Sequence, residues 1–225
     1  MELVLPIPPS ELQRHENPAI ARAREIVLAY GWNSTSFQIV NPGIKRWFSS
    51  EGDAVVGYVL ASGVRVVAGA PICRKERLAE VTSEFESEAE RANEKVCYFG
   101  AETRMESLYS ARPFNARFLL GAQPVWRPET WADIVSSNRS LRAQLNRARN
   151  KGVTVSEWPL HRAARNSALS ECLNSWLDSK GLPPLHFMVE SDTLNRLENR
   201  RIFVAEQAEN VMGFVVLSPV RLRNG

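Results

Sequence analysis

The residues from Arg139 to Lys151, RSLRAQLNRARNK, place five cations and no acid in thirteen positions of strong helix-forming sequence. Guanidinium and ammonium groups held in rows recognise phosphate or carboxylate, by charge and, for Arg, by paired N–H donors. At 3.6 residues per turn, Leu141, Leu145 and Ala148 fall within one narrow arc, the stripe expected to pack on a core. Arg139, Arg142 and Arg149 flank it on one side together with Asn146, and Arg147 and Lys151 on the other. A surface helix usually carries acids that pair with its own cations; this one carries none. Two readings stand: a solvated face, or an anion-binding face made of Arg139, Arg142, Asn146, Arg147, Arg149 and Lys151. Lys151 followed by Gly152 also has the form of a helix end, with a cation at the negative pole of the dipole and glycine just beyond.

Other chemistry-bearing side chains are scattered. His15, His161 and His186 share no spacing, and only His186 sits in a suggestive setting, LPPLHFMVE, a proline-fixed loop entering an apolar strand. There a neutral imidazole facing a cavity would act as acid or base, and Glu190 would orient it or cap the strand. Of six tryptophans, Trp32 and Trp47 lie in the polar stretches GWNSTSFQ and NPGIKRWFS, which makes them candidates for a substrate pocket. No GxGxxG follows a strand, and GxxxxGK[ST], HExxH and CxxC do not occur, so dinucleotide, Walker-type, zincin and zinc-ribbon chemistry lack support. Ser140 and Ser170 fall inside predicted helices, away from any nucleophile elbow. Spacing assigns no catalytic residue and no metal site.

The elements that must position these groups alternate helices with short strands. Asn17 caps a predicted helix with Pro18 at its first position, Ile20, Ala23, Val27 and Tyr30 on one face and Gly31 at its end. Val55 to Leu60 and Val64 to Val67 form a hairpin turned by Ser62-Gly63. Leu78, Val81, Phe85, Ala89 and Ala92 recur at helical spacing in an acidic segment that leads to a strand at Val96 to Phe99. Strand pieces are expected at Phe114 to Leu120 and Pro124 to Trp126, with a boundary near Arg127 to Trp131 separating a first domain, 1–128, from a second, 129–225. The second domain opens with the basic helix. It continues through a strand at Val153 to Glu157, then a helix carrying Ala164, Ala168, Leu169, Cys172, Leu173, Trp176 and Leu177, ended by Gly181 and Pro183-Pro184. A hairpin, Arg201 to Glu206 and Val211 to Leu217 around Asn210, closes the chain, and this second unit reads as truncated. The pattern is α/β of the mixed-sheet, α+β kind, not a doubly wound parallel sheet, and the similar order of its halves suggests a tandem pair.

Composition agrees with a folded domain of this size: 44% hydrophobic, 24% charged, net charge +3. Acids crowd Glu76 to Glu94 and cations Arg139 to Arg165, so the halves face different partners. Cys73, Cys97 and Cys172 are odd in number and far apart, which reads as buried thiols of a reducing compartment. The first residues lack a signal-peptide pattern, and Gly57, Ser62-Gly63 and Arg65 interrupt the longest apolar stretch, so the expectation is no transmembrane segment and a cytoplasmic location.

Taken together, GWNSTSFQIVNPGIKRWFS, GDAVVGYV with GVRVVAGAPIC, VCYFGAE, SLRAQLNRARNKGVTV, and GLPPLHFMVE with RRIFVAEQAENVMGFVVLSPV resemble a bacterial family similar to the C-terminal catalytic domain of phosphatidylglycerol lysyltransferase. The most specific pieces are the Arg142, Asn146, Arg147 and Gly152 pattern and the hairpin ending in Ser218-Pro219. The resemblance covers nearly the whole chain. It implies a tandem GNAT-like (acyl-CoA N-acyltransferase) fold in which aminoacyl-tRNA is the donor substrate and a phospholipid or amine is the acceptor. No cofactor is implied, and the cationic helix would hold the acceptor end of the tRNA or the lipid phosphate. Family members continue past the Ser-Pro hairpin to an Asp and an Arg used in catalysis, which have no counterpart here; a location peripheral to the membrane fits the lipid acceptor. Two other functions remain open, a CoA-dependent N-acyltransferase, although no pyrophosphate-binding glycine loop is visible, and a non-catalytic GNAT-like binding module.

Overall fold

The computed structural model describes residues 17–110, 116–180, 194 and 196–223. The chain forms two compact units, Met1–Met105 with Val220–Gly225, and Glu106–Pro219.

In the first unit α1 (Pro18–Tyr30) begins where Asn17 Oδ1 accepts from the Ala19 N–H at 2.9 Å, and it buries Ile20, Ala23, Ile26 and Val27. A 3₁₀ helix, Ser34–Val40, follows, and then β1 (Lys45–Phe48), β2 (Val55–Ala61), β3 (Val64–Ala68), α2 (Leu78–Arg91) and β4 (Lys95–Phe99). The sheet runs β1-β2-β3-β4, antiparallel across its first two pairings and parallel between β3 and β4, so it is mixed. Ser62 and Gly63, at φ 50° and 73°, turn the β2–β3 hairpin in the left-handed conformation that suits a two-residue loop. Alternation along β2 sends Val56 toward α2, where it joins Val67 and Phe85 in one buried cluster. Gly57 meets the other face, where a Cβ would come within 2.3 Å of the Ile39 side chain. Strand β2 is thus covered on both sides. Arg65 is buried as well: Nε donates to Glu94 at 2.5 Å and Nη1 to Glu88 at 3.1 Å, with its guanidinium over the Tyr58 and Phe85 rings.

The second unit contains α3 (Glu106–Tyr109), α4 (Trp131–Ser137), α5 (Arg139–Asn150), β5 (Val153–Trp158), α6 (Leu160–Ala163), α7 (Ser167–Asp178), β6 (Arg201–Gln207) and β7 (Asn210–Leu217). Its strands pair antiparallel in the order β5-β6-β7. Trp158, Ile202 and Val204 from the sheet pack on Ala163 and Leu169 from the helices, with Leu194 and Leu197 completing the core.

Three expectations are corrected. Residues 116–127 belong to no helix or strand and are exposed, so the strand pieces expected there do not form over the described positions; apolar residues with no adjacent ladder to join have no backbone partner that would make them strands. The helix expected across Ala164 to Leu177 is broken at Arg165, whose φ of 58° is left-handed, and restarts when Asn166 caps Leu169. Of the three thiols Cys73 is buried, Cys172 half-buried and Cys97 exposed, because β4 lies at the sheet edge.

Candidate anion-binding face

Helix α5 forms where the sequence places it. Asn138 Oδ1 accepts from the Leu141 N–H at 3.0 Å, a cap that contributes about 1 kcal/mol, and the chain leaves the helix through Gly152 at φ 74°. The stripe of Leu141, Leu145 and Ala148 is half-buried, and no residue of the helix is fully enclosed. The opposite surface is therefore open along a helix about 18 Å long.

The six candidates on this helix are not equivalent. Arg142 is half-buried and turns back toward α4, its Nη1 donating to the carbonyls of Ser136 and, at 3.4 Å, Val135. It closes carbonyls that a helix end leaves without intrahelical donors. Arg139, Asn146, Arg147, Arg149 and Lys151 are exposed. None of the cations among them forms an ion pair with an acid of the described residues. Two acids of this unit are engaged elsewhere: Glu157 takes both Nε and Nη2 of Arg201, at 2.8 and 2.5 Å, which holds its carboxyl below the ordinary range, and Glu206 accepts from Trp158 and Arg162 at 3.2 Å each. The Gln207 side chain anchors the end of the helix to the sheet, its Nε2 donating to the Lys151 carbonyl at 2.8 Å. The result is a set of exposed positive charges without an ion-pair partner among the described residues: Arg147 and Lys151 one turn apart, with Arg139 and Arg149 on the other flank.

Trp32 and Trp47 lie in the first unit. Trp32 is buried, with Arg104 over its ring at 5.4 Å, and Arg104 Nη2 donates to the Cys73 carbonyl at 2.9 Å. Burial lowers the Arg104 pKa and raises that of the Cys73 thiol. Trp47 is half-buried on β1, donates its indole N–H to Glu88 and meets Phe85 edge-on at 5.4 Å. Both rings have packing partners within the first unit. His186 and Glu190 lie outside the described residues.

Sequence reading missed two arrangements. The turn of Arg142 toward α4 depends on where α4 ends, at Ser137, which no motif marks. The Trp158–Arg162–Glu206 cluster, with Arg162 over the indole at 3.6 Å, joins positions 44 residues apart that only the β5–β6 register brings together.

No helix among the described residues is long and apolar enough to cross a membrane, and no group of metal-ligating side chains occurs among them. No curated protein matches the chain. Among the solved structures that share its fold are two lysylphosphatidylglycerol synthetase-type proteins. One is L-PGS from Bacillus licheniformis, 20% identical, with a TM-score of 0.64 over 91% of this chain and 62% of that one. The other is the C-terminal domain of a protein assigned as a lysylphosphatidylglycerol synthetase from Agrobacterium fabrum, 13% identical, with a TM-score of 0.65 over 91% of this chain and 65% of that one. The chain thus spans less than two thirds of either. The model of the family described as phosphatidylglycerol lysyltransferase, C-terminal, matches residues 24–225, and the chain belongs to that family.

Proposed function

We propose that this chain takes part in transferring an aminoacyl group from aminoacyl-tRNA to a lipid or amine acceptor, with α5 holding a phosphate of donor or acceptor. The observation that carries this reading is the exposed set Arg139, Arg147, Arg149 and Lys151, fixed on a capped helix with no acid to neutralise it. Family membership supports this reaction class.

The chemistry needs little from side chains beyond placement. The aminoacyl ester of tRNA is already activated. When an acceptor hydroxyl or amine attacks its carbonyl, a new ester or amide bond forms, the ester bond to the ribose breaks, and the acceptor's proton passes to the departing ribose oxygen. Bringing the two substrates into attack distance removes much of the barrier, and donors aimed at the developing oxyanion remove more. Cations that hold a phosphate beside that point serve the first purpose.

The test is transfer itself. The protein is incubated with tRNA charged with radiolabelled lysine or alanine and with phosphatidylglycerol vesicles, and label is followed into the organic phase. Label should appear there and fall at least tenfold in Arg147→Glu/Arg149→Glu. Absence of label together with absence of charged-tRNA binding at low salt overturns the reading.

A further inference from the structure

We infer that the first unit holds a binding site for a terminal carboxylate, made by the indole N–H of Trp32 and the guanidinium of Arg104. Both residues belong to that unit, and the site stands independently of the transfer reading. Trp32 is 9% exposed, and its Nε1 is enclosed with no acceptor in reach; Nε of Arg104 is enclosed in the same way. Buried donors, the indole N–H among them, are nearly always satisfied. Here two orphans are neighbours, since the guanidinium carbon lies 5.4 Å from the centre of the indole. One acceptor-bearing group serves both.

The fold sets this pair at the carboxyl ends of the parallel strands β3 and β4, where open α/β sheets receive ligands. Gly69, just past β3, donates to the Phe99 carbonyl at 2.8 Å, and a Cβ built on it would touch the Trp32 ring at 3.5 Å. Arg104 follows β4 by a turn in which Glu102 has a left-handed φ of 51°. Asn33, next to Trp32 and 1% exposed, holds that turn: its Nδ2 donates to Glu102 Oε1 at 2.9 Å, while its Oδ1 accepts from the Ser36 N–H. The two donors are thus fixed to each other before any ligand arrives.

Charge selects the class of ligand. Arg104 is half-buried, its Nη2 goes to the neutral Cys73 carbonyl, and no acid of the described residues pairs with it. Glu102 and Glu106, two residues to either side, are engaged by Asn33 and Arg117. A partly enclosed cation without a counter-ion is costly, and a single negative charge offsets that cost. A carboxylate brings one charge and two acceptor oxygens, which matches one cation and two N–H donors. A phosphate monoester brings roughly two charges against that one cation. A phosphodiester carries one, but its anionic oxygens sit between two ester branches, whereas a terminal carboxylate enters end-on.

Titration of the whole chain with acetate and with N-acetylalanine at constant ionic strength tests this, read from the indole N–H signals in proton–nitrogen correlation spectra. The Trp32 signal is identified by its loss in Trp32→Phe. It should move downfield and saturate with both carboxylates, and stay still with N-acetylalanine methylamide, which lacks the charge. Arg104→Met should weaken both affinities at least tenfold. If that variant does not fold, Trp32→Phe, which removes the N–H and keeps an aromatic ring, should still lose severalfold affinity, read as a smaller carboxylate-induced rise in the melting temperature. Three results overturn the site: no saturable shift of the Trp32 signal, which leaves the two donors to solvent alone; wild-type affinity in the folded variants; or an equal response to methyl or dimethyl phosphate, which assigns the pair to a phosphate.

Discussion

Arg142 donates from Nη1 to the main-chain carbonyl of Ser136, the penultimate residue of α4. That bond ties the basic helix to its predecessor and engages Nη1 of a guanidinium that also belongs to the candidate anion-binding set. Arg142→Met should lower stability by roughly 1 kcal/mol, since the donor is charged but its setting is largely exposed, and should leave the salt dependence of phosphate-ligand binding unchanged. Arg147→Glu/Arg149→Glu should do the reverse. Urea unfolding and salt titration of the same proteins separate the two effects, and an Arg142 variant that loses ligand while keeping its stability contradicts this division.

Arg65 pins α2 and β4 to β3 through Glu88 and Glu94. Arg65→Met leaves Glu94 mostly enclosed without its partner, and the urea midpoint should fall by the equivalent of about 2–3 kcal/mol. A loss below about 0.5 kcal/mol means the pair is dispensable.

Glycines of the two sheets give a paired comparison. A Cβ at Gly57 lies 2.3 Å from Ile39 Cγ2, whereas one at Gly213 meets nothing within 4 Å. Gly57→Ala should destabilise by roughly 1–3 kcal/mol through overpacking. Gly213→Ala should be neutral or slightly stabilising. Thermal melts of both settle the contrast.

Asp53 accepts from Arg77 and from Ser49, and the Arg77 hydrogen bond holds its pKa below the ordinary value. A depressed carboxyl stabilises the fold fully above its unfolded pKa of about 4 and loses that contribution as pH falls through the folded value. The side chain is partly open to solvent, so the effect is modest. Asp53→Asn should lower the urea midpoint at pH 7, and the gap to the wild type should narrow as pH falls below about 4. A gap that stays constant across that range contradicts the assignment.

Much of this architecture is legible in the amino-acid sequence. Asn17, the Ser62-Gly63 turn, the Leu78 to Ala89 spacing and the Leu141, Leu145 and Ala148 stripe each carry a local cause, a cap, a turn conformation or a period, and each appears in place. The features that differ depend on distant partners. Phe118 to Trp126 has strand-like composition, yet a strand exists only by pairing with another. Trp32 and Trp47 sit in polar local sequence, but Arg104 and Phe85, far along the chain, enclose them. The basic helix is visible as charge, whereas the capping duty of Arg142 is not, because it depends on the geometry of a neighbouring helix end.

Binding of charged tRNA measured from 50 to 300 mM salt tests the central claim most directly. Each phosphate contact with single-stranded nucleic acid contributes about 0.7 to the fall of log K with log salt. The four exposed cations of α5 should give a slope of up to about 3, reduced by about 1.4 or more in Arg147→Glu/Arg149→Glu and unchanged in Arg142→Met. A slope near zero, or the same slope in all three proteins, contradicts the account.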